Sequence, residues 1–290
     1  MDINKLKDKK TTEELLEFGI INIDKPSGPT SFDVSDFVRK KANLRKTSHF
    51  GTLDPNVTGV LPIALNRACK LTGFFLGENK EYVGIMRLHE EIDVKKLQEI
   101  INKKFMGKIM QKPPVKSRVK RVEREREIMS FEILEKDENG KDYLFRAEVQ
   151  GGTYIRKLID DLGKELGIGA HMLELRRVRA GIFDEKSIVN VYDYEKALDE
   201  YNNGNDKKLR SIIIPGEIIS SLYPVVNVNT EFVKKLYTGS PLFIKNLDKK
   251  YNINGGRCCV FSGDKFIGVY SVINSKEVFA MPEFVLQPIK

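Results

Sequence analysis

Residues 143–167, YLFRAEVQGGTYIRKLIDDLGKELG, change period at their middle. In the first part Tyr143, Phe145, Ala147 and Val149 share one face under period two and Leu144 and Arg146 share the other, the pattern of a strand with one buried side. From Ile155 onward the apolar residues Leu158, Ile159, Leu162 and Leu166 recur at threes and fours, which predicts a helix closed by Gly167. Gly151-Gly152-Thr153 leaves room only for a tight turn between the two, and puts Arg156 in the first turn of the helix. A strand, a tight turn and a helix in immediate succession point to a layered α+β architecture.

Working outward, residues 10–17 read as a short helix and 19–24 (GIINID) as a strand ended by Lys25-Pro26-Ser27-Gly28-Pro29. A helix capped by Thr30 or Ser31 follows, with Phe32, Val34, Phe37 and Val38 as its apolar stripe. Residues 81–89 (EYVGIMRLH) favour a strand. Residues 201–208 (YNNGNDKK) form a polar loop, and the short apolar stretch before Tyr223-Pro224 predicts a last helix. Beyond Leu222, β-type runs at 225–228, 257–261, 266–273 and 277–281 are broken by Gly and Asn, which reads as a small β-barrel. The expected organisation is an N-terminal extension at 1–17, a first domain at 18–221 and a small second domain at 222–290.

The 290 residues carry 41% apolar and 31% charged side chains, a globular composition without an apolar run approaching the ~20 residues of a membrane span. The opening MDINKLKDKKTTEE lacks an apolar core, so the expectation is no signal peptide, a reducing compartment and a cytoplasmic location. Cys69, Cys258 and Cys259 have no CxxC spacing and read as reduced thiols. His49, His89 and His171 lie far apart without ligand spacing, and no metal is expected.

The net charge of +8 is localised. Residues 103–126 hold ten basic residues against Glu123 and Glu125, so the rest of the chain balances. Two further clusters, Arg39, Lys40, Lys41, Arg45 and Lys46, and Arg176, Arg177 and Arg179, add to a picture in which a polyanion is the natural partner.

The candidate for chemistry is Asp54 in SHFGTLDPNVTGVLP (48–62). Pro55 biases Asp54 towards an extended conformation, so the carboxylate is presented from a loop. An Asp-Pro pair alone is usually only a turn. Its company changes that reading: Asp24-Lys25-Pro26, GTLDPNVTGVLP, KEYVGIMRLH, QKPPVKSRVKR and GGTYIRKLIDDLGKELGIGAHMLELRRVR occur in this order. Together they resemble the TruB/dyskerin family of pseudouridine synthases from about residue 18 to 183, and the region with TGSPL around Gly239 resembles the PUA RNA-binding module that follows in that family. EELLEFGI, the RLH ending of the Tyr82 strand and AHMLELRR are most similar to the archaeal enzymes that work with H/ACA guide RNA.

The resemblance implies the pseudouridine synthase fold, a mixed, largely antiparallel sheet flanked by helices, followed by a PUA-like barrel. It implies Asp54 as the nucleophile that helps break the bond from the anomeric ribose carbon to uracil nitrogen 1, after which the base turns and rejoins through carbon 5. No cofactor is implied, because the reaction is an isomerisation. Arg156 is implied as the partner that keeps Asp54 ionised in a pocket expected to be dry, since burial opposes a carboxylate's charge and a guanidinium favours it. Tyr82 is assigned to stacking on the flipped uracil or to removing a proton from ribose carbon 2. Leu175 is assigned to an apolar pocket wall, Lys25 to support of the loop, and His49 to the position before it, where Phe50 departs from the usual small residue. Lys112, Lys116, Arg118, Lys120 and Arg121 fall in the loop that clamps substrate RNA, with Arg118 in place of the common small residue. The module around Gly239 is implied to hold an RNA end. Implied partners are substrate rRNA or tRNA, an H/ACA guide RNA, and small zinc-ribbon-like, glycine-arginine-type and kink-turn-binding subunits. Three functions remain open at this point: a guide-dependent synthase, a stand-alone tRNA synthase, and a non-catalytic RNA-binding scaffold.

Overall fold

The computed structural model describes residues 2–113, 120–273 and 275–288. Among the described residues ten strands make a large sheet: β1 (Gly19–Lys25), β2 (Thr47–His49), β3 (Thr58–Leu65), β4 (Lys80–Leu88), β5 (Gly107–Gln111), β6 (Arg124–Lys136), β7 (Asp142–Val149), β8 (Ala170–Ala180), β9 (Phe183–Asp184) and β10 (Ile213–Pro215). Their spatial order is β10-β1-β3-β8-β4-β7-β6-β5, with β2 paired to β3 and β9 to β8. Every pairing is antiparallel except that of β3 with β8.

That parallel seam joins the two halves of the sheet through only Thr58↔Arg176 and Gly59↔Arg177. Gly59 has φ of 100°, and a Cβ built on it would lie 2.2 Å from the carbonyl oxygen of Arg177. The close approach therefore needs a residue without a side chain. The Asp54 loop leads directly into this seam.

The sheet's front face follows from alternation. Tyr143, Phe145, Ala147 and Val149 of β7 and Tyr82, Met86 and Leu88 of β4 are buried in one cluster. Helices α1 (Ile3–Asp8), α2 (Thr12–Glu17), α3 (Ser31–Lys41), α4 (Thr72–Leu76), α5 (Val94–Lys104), α6 (Ile155–Leu166), α7 (Val191–Asn202), α8 (Lys207–Ile212) and α9 (Val233–Leu236) complete the regular structure together with short 3₁₀ turns. Val34 and Val38 of α3, Leu97 and Ile101 of α5, Ile155, Leu158, Ile159 and Leu162 of α6 and Leu198 of α7 cover the front face. Thr30 caps α3 in a capping box: its hydroxyl accepts from the Asp33 amide, and the Asp33 carboxylate accepts from the Thr30 amide.

The C-terminal strands β11 (Val225–Asn227), β12 (Leu242–Phe243), β13 (Arg257–Ser262), β14 (Lys265–Val272) and β15 (Val278–Val285) form a separate curled sheet in the order β11-β13-β14-β15-β12. It is seated on the back of the large sheet through one shared apolar cluster. Phe18, Ile20, Val60 and Ala64 meet Cys259, Phe261, Phe266 and Val269 there, and the ring of Phe18 lies 5.9 Å from that of Phe266 and 6.1 Å from that of Phe284. The N-terminal segment crosses the same junction, with Leu6 buried in the cluster and ion pairs Lys9–Asp264 and Lys10–Glu217. Burial raises the Cys258 and Cys259 thiols to about 12, and all three cysteines are unpaired.

Several local expectations change. The stretch before Tyr223 is not a helix: β10 pairs with β1 through Ile214↔Ile20 and Ile213↔Ile21, and a 3₁₀ turn over Gly216–Ser221 follows. Paired β-branched residues ending at a proline suit an edge strand better than a helix. The loop at 201–208 is shorter than its polarity suggested, because α7 runs to Asn202 and α8 starts at Lys207. Phe32 is exposed; it stands about 200° around the helix from Val34, on the side away from the sheet. Helix α1, held by an Asp2 cap, is an element that the periodicity did not suggest.

The seam yields a stability test. Gly59→Ala is expected to cost roughly 2–5 kcal/mol in urea unfolding, from positive-φ strain and steric overlap together. Gly204→Ala should cost less, because Gly204 also has positive φ but has nothing within 4 Å of its added Cβ. Equal losses would show that close approach at the seam is unimportant.

Candidate active site

Asp54 sits on a stretch without regular structure between β2 and β3, and that stretch is pinned from beneath at successive residues. The Ser31 hydroxyl accepts from the Leu53 amide at 2.8 Å and donates to the Leu53 carbonyl at 3.0 Å. Lys25, with 0% exposure, donates through Nζ to the carbonyls of Pro55 at 2.8 Å, Val57 at 2.9 Å and Pro26 at 2.9 Å. The Gly28 amide donates to Pro55 as well, at 3.0 Å, and Val57 closes a turn onto the Asp54 carbonyl at 3.0 Å. Burial pushes the Lys25 ammonium below its ordinary range, and the negative charge of Asp54 opposes that shift.

Arg156 approaches from α6 and its Nη2 lies 2.7 Å from Asp54 Oδ2. The two residues are distant in sequence and brought together only by the fold. Ile155, buried beside Arg156, anchors the helix start. Gln111 at the end of β5, itself buried, accepts from the Tyr154 amide at 3.0 Å and donates to the Tyr154 carbonyl at 3.2 Å. Arg126 Nε donates to the Gly152 carbonyl at 3.1 Å. Two residues of the basic region thus clamp the turn that presents Arg156.

The pair is open to solvent, with side-chain exposures of 60% for Arg156 and 47% for Asp54. The carboxylate therefore does not lie in the dry pocket expected for it, but faces solvent and Arg156. An ion pair this exposed contributes only ~0–1 kcal/mol to stability, so it is not what holds the loop and helix in place.

Tyr82 of β4 and Leu175 of β8 are buried on the sheet's front face, in the apolar cluster that also holds Leu53 and Ile155, the neighbours in sequence of the pair; Tyr82 is in register with Arg177 and Gly84 with Leu175. His49 ends β2, its Nε2 3.2 Å from the Thr52 hydroxyl, and burial together with the Arg177 charge lowers its pKa. Phe50 turns to the back cluster, stacked on Phe75 at 4.7 Å, so its bulk is absorbed by the core.

Arg177 and Lys80, which the sequence reading did not assign to the site, are its most deeply buried cations besides Lys25. Arg177 is 1% exposed, and donates through Nε to Val60 at 2.8 Å and through Nη2 to Gly51 at 3.0 Å, both carbonyls. Lys80, 4% exposed, donates to the carbonyls of Leu76 at 2.8 Å, Phe75 at 3.4 Å and Glu78. Ser31 and Gln111 also went unassigned. A buried polar residue adjoining a motif is indistinguishable in sequence from an exposed one.

The remaining expectations divide. Lys112, Lys120 and Arg121 are exposed at the two ends of 114–119, whereas Lys116 and Arg118 lie outside the described residues. Gly239 is exposed after α9 with φ of 84°, in the C-terminal sheet region. The two shorter basic clusters are largely neutralised. Arg39 and Lys40 pair with Asp36, Lys41 with Glu195 and Arg45 with Glu17. Arg176 pairs with Asp24 and Glu185, and Arg179 with Glu81 and Glu148. Asp36 and Glu185 are near in sequence, but Glu195, Glu17, Asp24, Glu81 and Glu148 are remote, and no window count of charge detects them.

The chain is similar in sequence and in fold to known proteins. Residues 39–155 match the model of the TruB family pseudouridylate synthase N-terminal domain, and residues 156–220 that of the tRNA pseudouridylate synthase B C-terminal domain. Proteins named probable tRNA pseudouridine synthase B are similar: that of Methanocaldococcus jannaschii is 42% identical over 245 residues, covering 83% of this chain and 71% of the relative. The one of Archaeoglobus fulgidus is 43% identical over 243 residues, covering 82% and 73%. Among solved structures, a Cbf5-Nop10-Gar1 complex matches with a TM-score of 0.89 at 34% identity over 97% of this chain and 89% of that one. An H/ACA ribonucleoprotein bound to a substrate RNA containing 2'-deoxyuridine matches with a TM-score of 0.86 at 32% identity, covering 97% and 89%. The chain belongs to the TruB family of pseudouridine synthases, isomerases that act on RNA.

Lys80 gives the site a pH signature. Burial first, then the charge of Arg177, lowers its pKa from 10.5 to about 8, against Glu78. Below that value folded and unfolded states are both charged. Between about 8 and 10.5 the unfolded chain holds the proton that the folded chain has released, so stability rises with pH. Urea unfolding of the wild type against Lys80→Met should therefore shift in favour of the wild type by up to ~2 kcal/mol between about pH 8 and 10. A constant difference would show that Lys80 does not lose its proton on folding.

Proposed function

We propose that this synthase isomerises uridine in ribosomal RNA as the catalytic subunit of an H/ACA guide ribonucleoprotein, with Asp54 as its nucleophile. The observation that carries the chemistry is the solvent-open contact of Asp54 with Arg156 at 2.7 Å. A carboxylate kept anionic at an accessible position acts covalently or as a base. Its attack releases uracil from the anomeric carbon. The base turns, carbon 5 bonds to the anomeric carbon as the carboxylate leaves it and Asp54 is restored, the carbon 5 proton is lost and nitrogen 1 gains one, so no atoms are gained or lost overall. Tyr82 supplies a ring for the flipped uracil, and Leu175 supplies an apolar wall. Lys25 supports the loop, and His49 flanks it.

Turning a base out of paired RNA costs a few kcal/mol. The exposed Lys112, Lys120 and Arg121 offer cations to RNA phosphates, and the solvent-open Asp54 is accessible to a folded polyanion. The guide-dependent assignment is supported by likeness over nearly the whole chain, C-terminal sheet included, to the protein of a Cbf5-Nop10-Gar1 complex. That likeness also motivates small protein subunits as partners. The second reading, a stand-alone tRNA synthase, is favoured by the names of the archaeal relatives.

Two measurements test this. Asp54→Asn is expected to abolish product while RNA affinity stays within about twofold. A guide-matched rRNA uridine should be modified only when guide RNA and partner subunits are added; equal modification of tRNA by the chain alone would replace the guide-dependent reading with the stand-alone one. Product formation unchanged in Asp54→Asn would overturn the role of Asp54.

The pairing itself is tested by Arg156→Lys. A point charge lacks the planar fork of a guanidinium, and single-turnover rates should fall by about 10–100-fold. A near-normal rate would make the pairing unimportant.

A further inference from the structure

Arg177 is the largest of the fully buried side chains among the described residues. Removing an arginine from water without a carboxylate partner costs several kcal/mol, and an apolar side chain of similar volume is often the more stable choice. Stability therefore does not account for a guanidinium here. Its contacts have a common theme. Gly51, upstream of Asp54, and Val60, downstream of it, both present carbonyls to Arg177, so one planar group ties the two arms of the Asp54 loop together. Tyr82 is the cross-strand partner of Arg177 in the β4–β8 ladder, and it offsets part of the burial that lowers the pKa of Arg177. The other charged or titratable groups facing Arg177 are Lys80 and His49, and both have their pKa lowered in part by it.

We propose that Arg177 is a positioning residue of the isomerisation, setting the Tyr82 ring and both arms of the Asp54 loop in one register before RNA arrives. Arg177 touches neither substrate nor the reacting atoms in this scheme; it acts through Tyr82 and the loop. The inference rests on the roles proposed above for Asp54 and Tyr82.

The test uses the assembly that modifies RNA, with Arg177→Lys and, because a cation confined to this site tolerates replacement poorly, Arg177→Met, which keeps volume and removes the buried charge. Three quantities are read: single-turnover rate at saturating RNA, RNA affinity, and the fluorine resonance of 3-fluorotyrosine placed at position 82. The expected result is a rate lowered by about 10–100-fold, since a displacement near 1 Å costs on that order, with affinity within about twofold and a shifted or broadened resonance. Arg177→Lys should recover part of both the rate and the resonance relative to Arg177→Met. An unchanged rate, or a lowered rate with the resonance unmoved, overturns the proposal. Asp54→Asn measured alongside separates the two levels: activity there overturns the role of Asp54, whereas its inactivity with an unaffected Arg177→Met overturns only the positioning role.

Discussion

Three buried cations bonded to main-chain carbonyls are the constraint on which the site depends. Lys25 and Arg177 hold the loop that carries Asp54, and Lys80 holds the segment before β4 that packs against the same loop. An irregular loop presents carbonyls that no neighbouring strand satisfies, and an unsatisfied buried carbonyl is costly. An ammonium carries three donors and a guanidinium five, with no acceptor of their own to satisfy, so each can meet several carbonyls at once. The loop thereby keeps one conformation without belonging to a helix or a strand.

The contrast with the Asp54–Arg156 pair separates rigidity from chemistry. The buried cations involve several kcal/mol of desolvation offset by hydrogen bonds, while the exposed pair is worth ~0–1 kcal/mol. The first set determines where the carboxylate stands. The second leaves it accessible to a large polyanion and places a permanent positive charge against it. Gln111 and Arg126 perform the matching service for α6, so the basic region is joined mechanically to the element that carries Arg156.

The back of the large sheet has a different task. Phe18, Phe261, Phe266 and Phe284 join it to the C-terminal sheet, and the N-terminal segment is fastened across the junction by Lys9 and Lys10. Large aromatic contacts of this kind resist sliding of one sheet on the other. A surface for RNA on the C-terminal sheet would consequently keep a set position relative to Asp54.

Much of this was legible in the order of residues. Alternation in 143–149 and the three-and-four spacing after Ile155 determined β7 and α6, because each pattern has one face to bury whatever it packs against. The Asp-Pro loop, the strand of Tyr82 and the arginine of the first helical turn were recognisable as a set from their order along the chain. Tertiary structure alone decided which charges face solvent. Arg176, Arg177 and Arg179 read as one basic cluster, yet two are cancelled by acids from other strands and one is buried. His89 and His171, far apart in sequence, meet at 3.1 Å across β4 and β8. It also decided that Asp54 is open, that Phe32 points outward and that residues 213–215 complete an edge. Burial and long-range pairing depend on what the rest of the chain brings to a residue, and a local pattern carries no record of that.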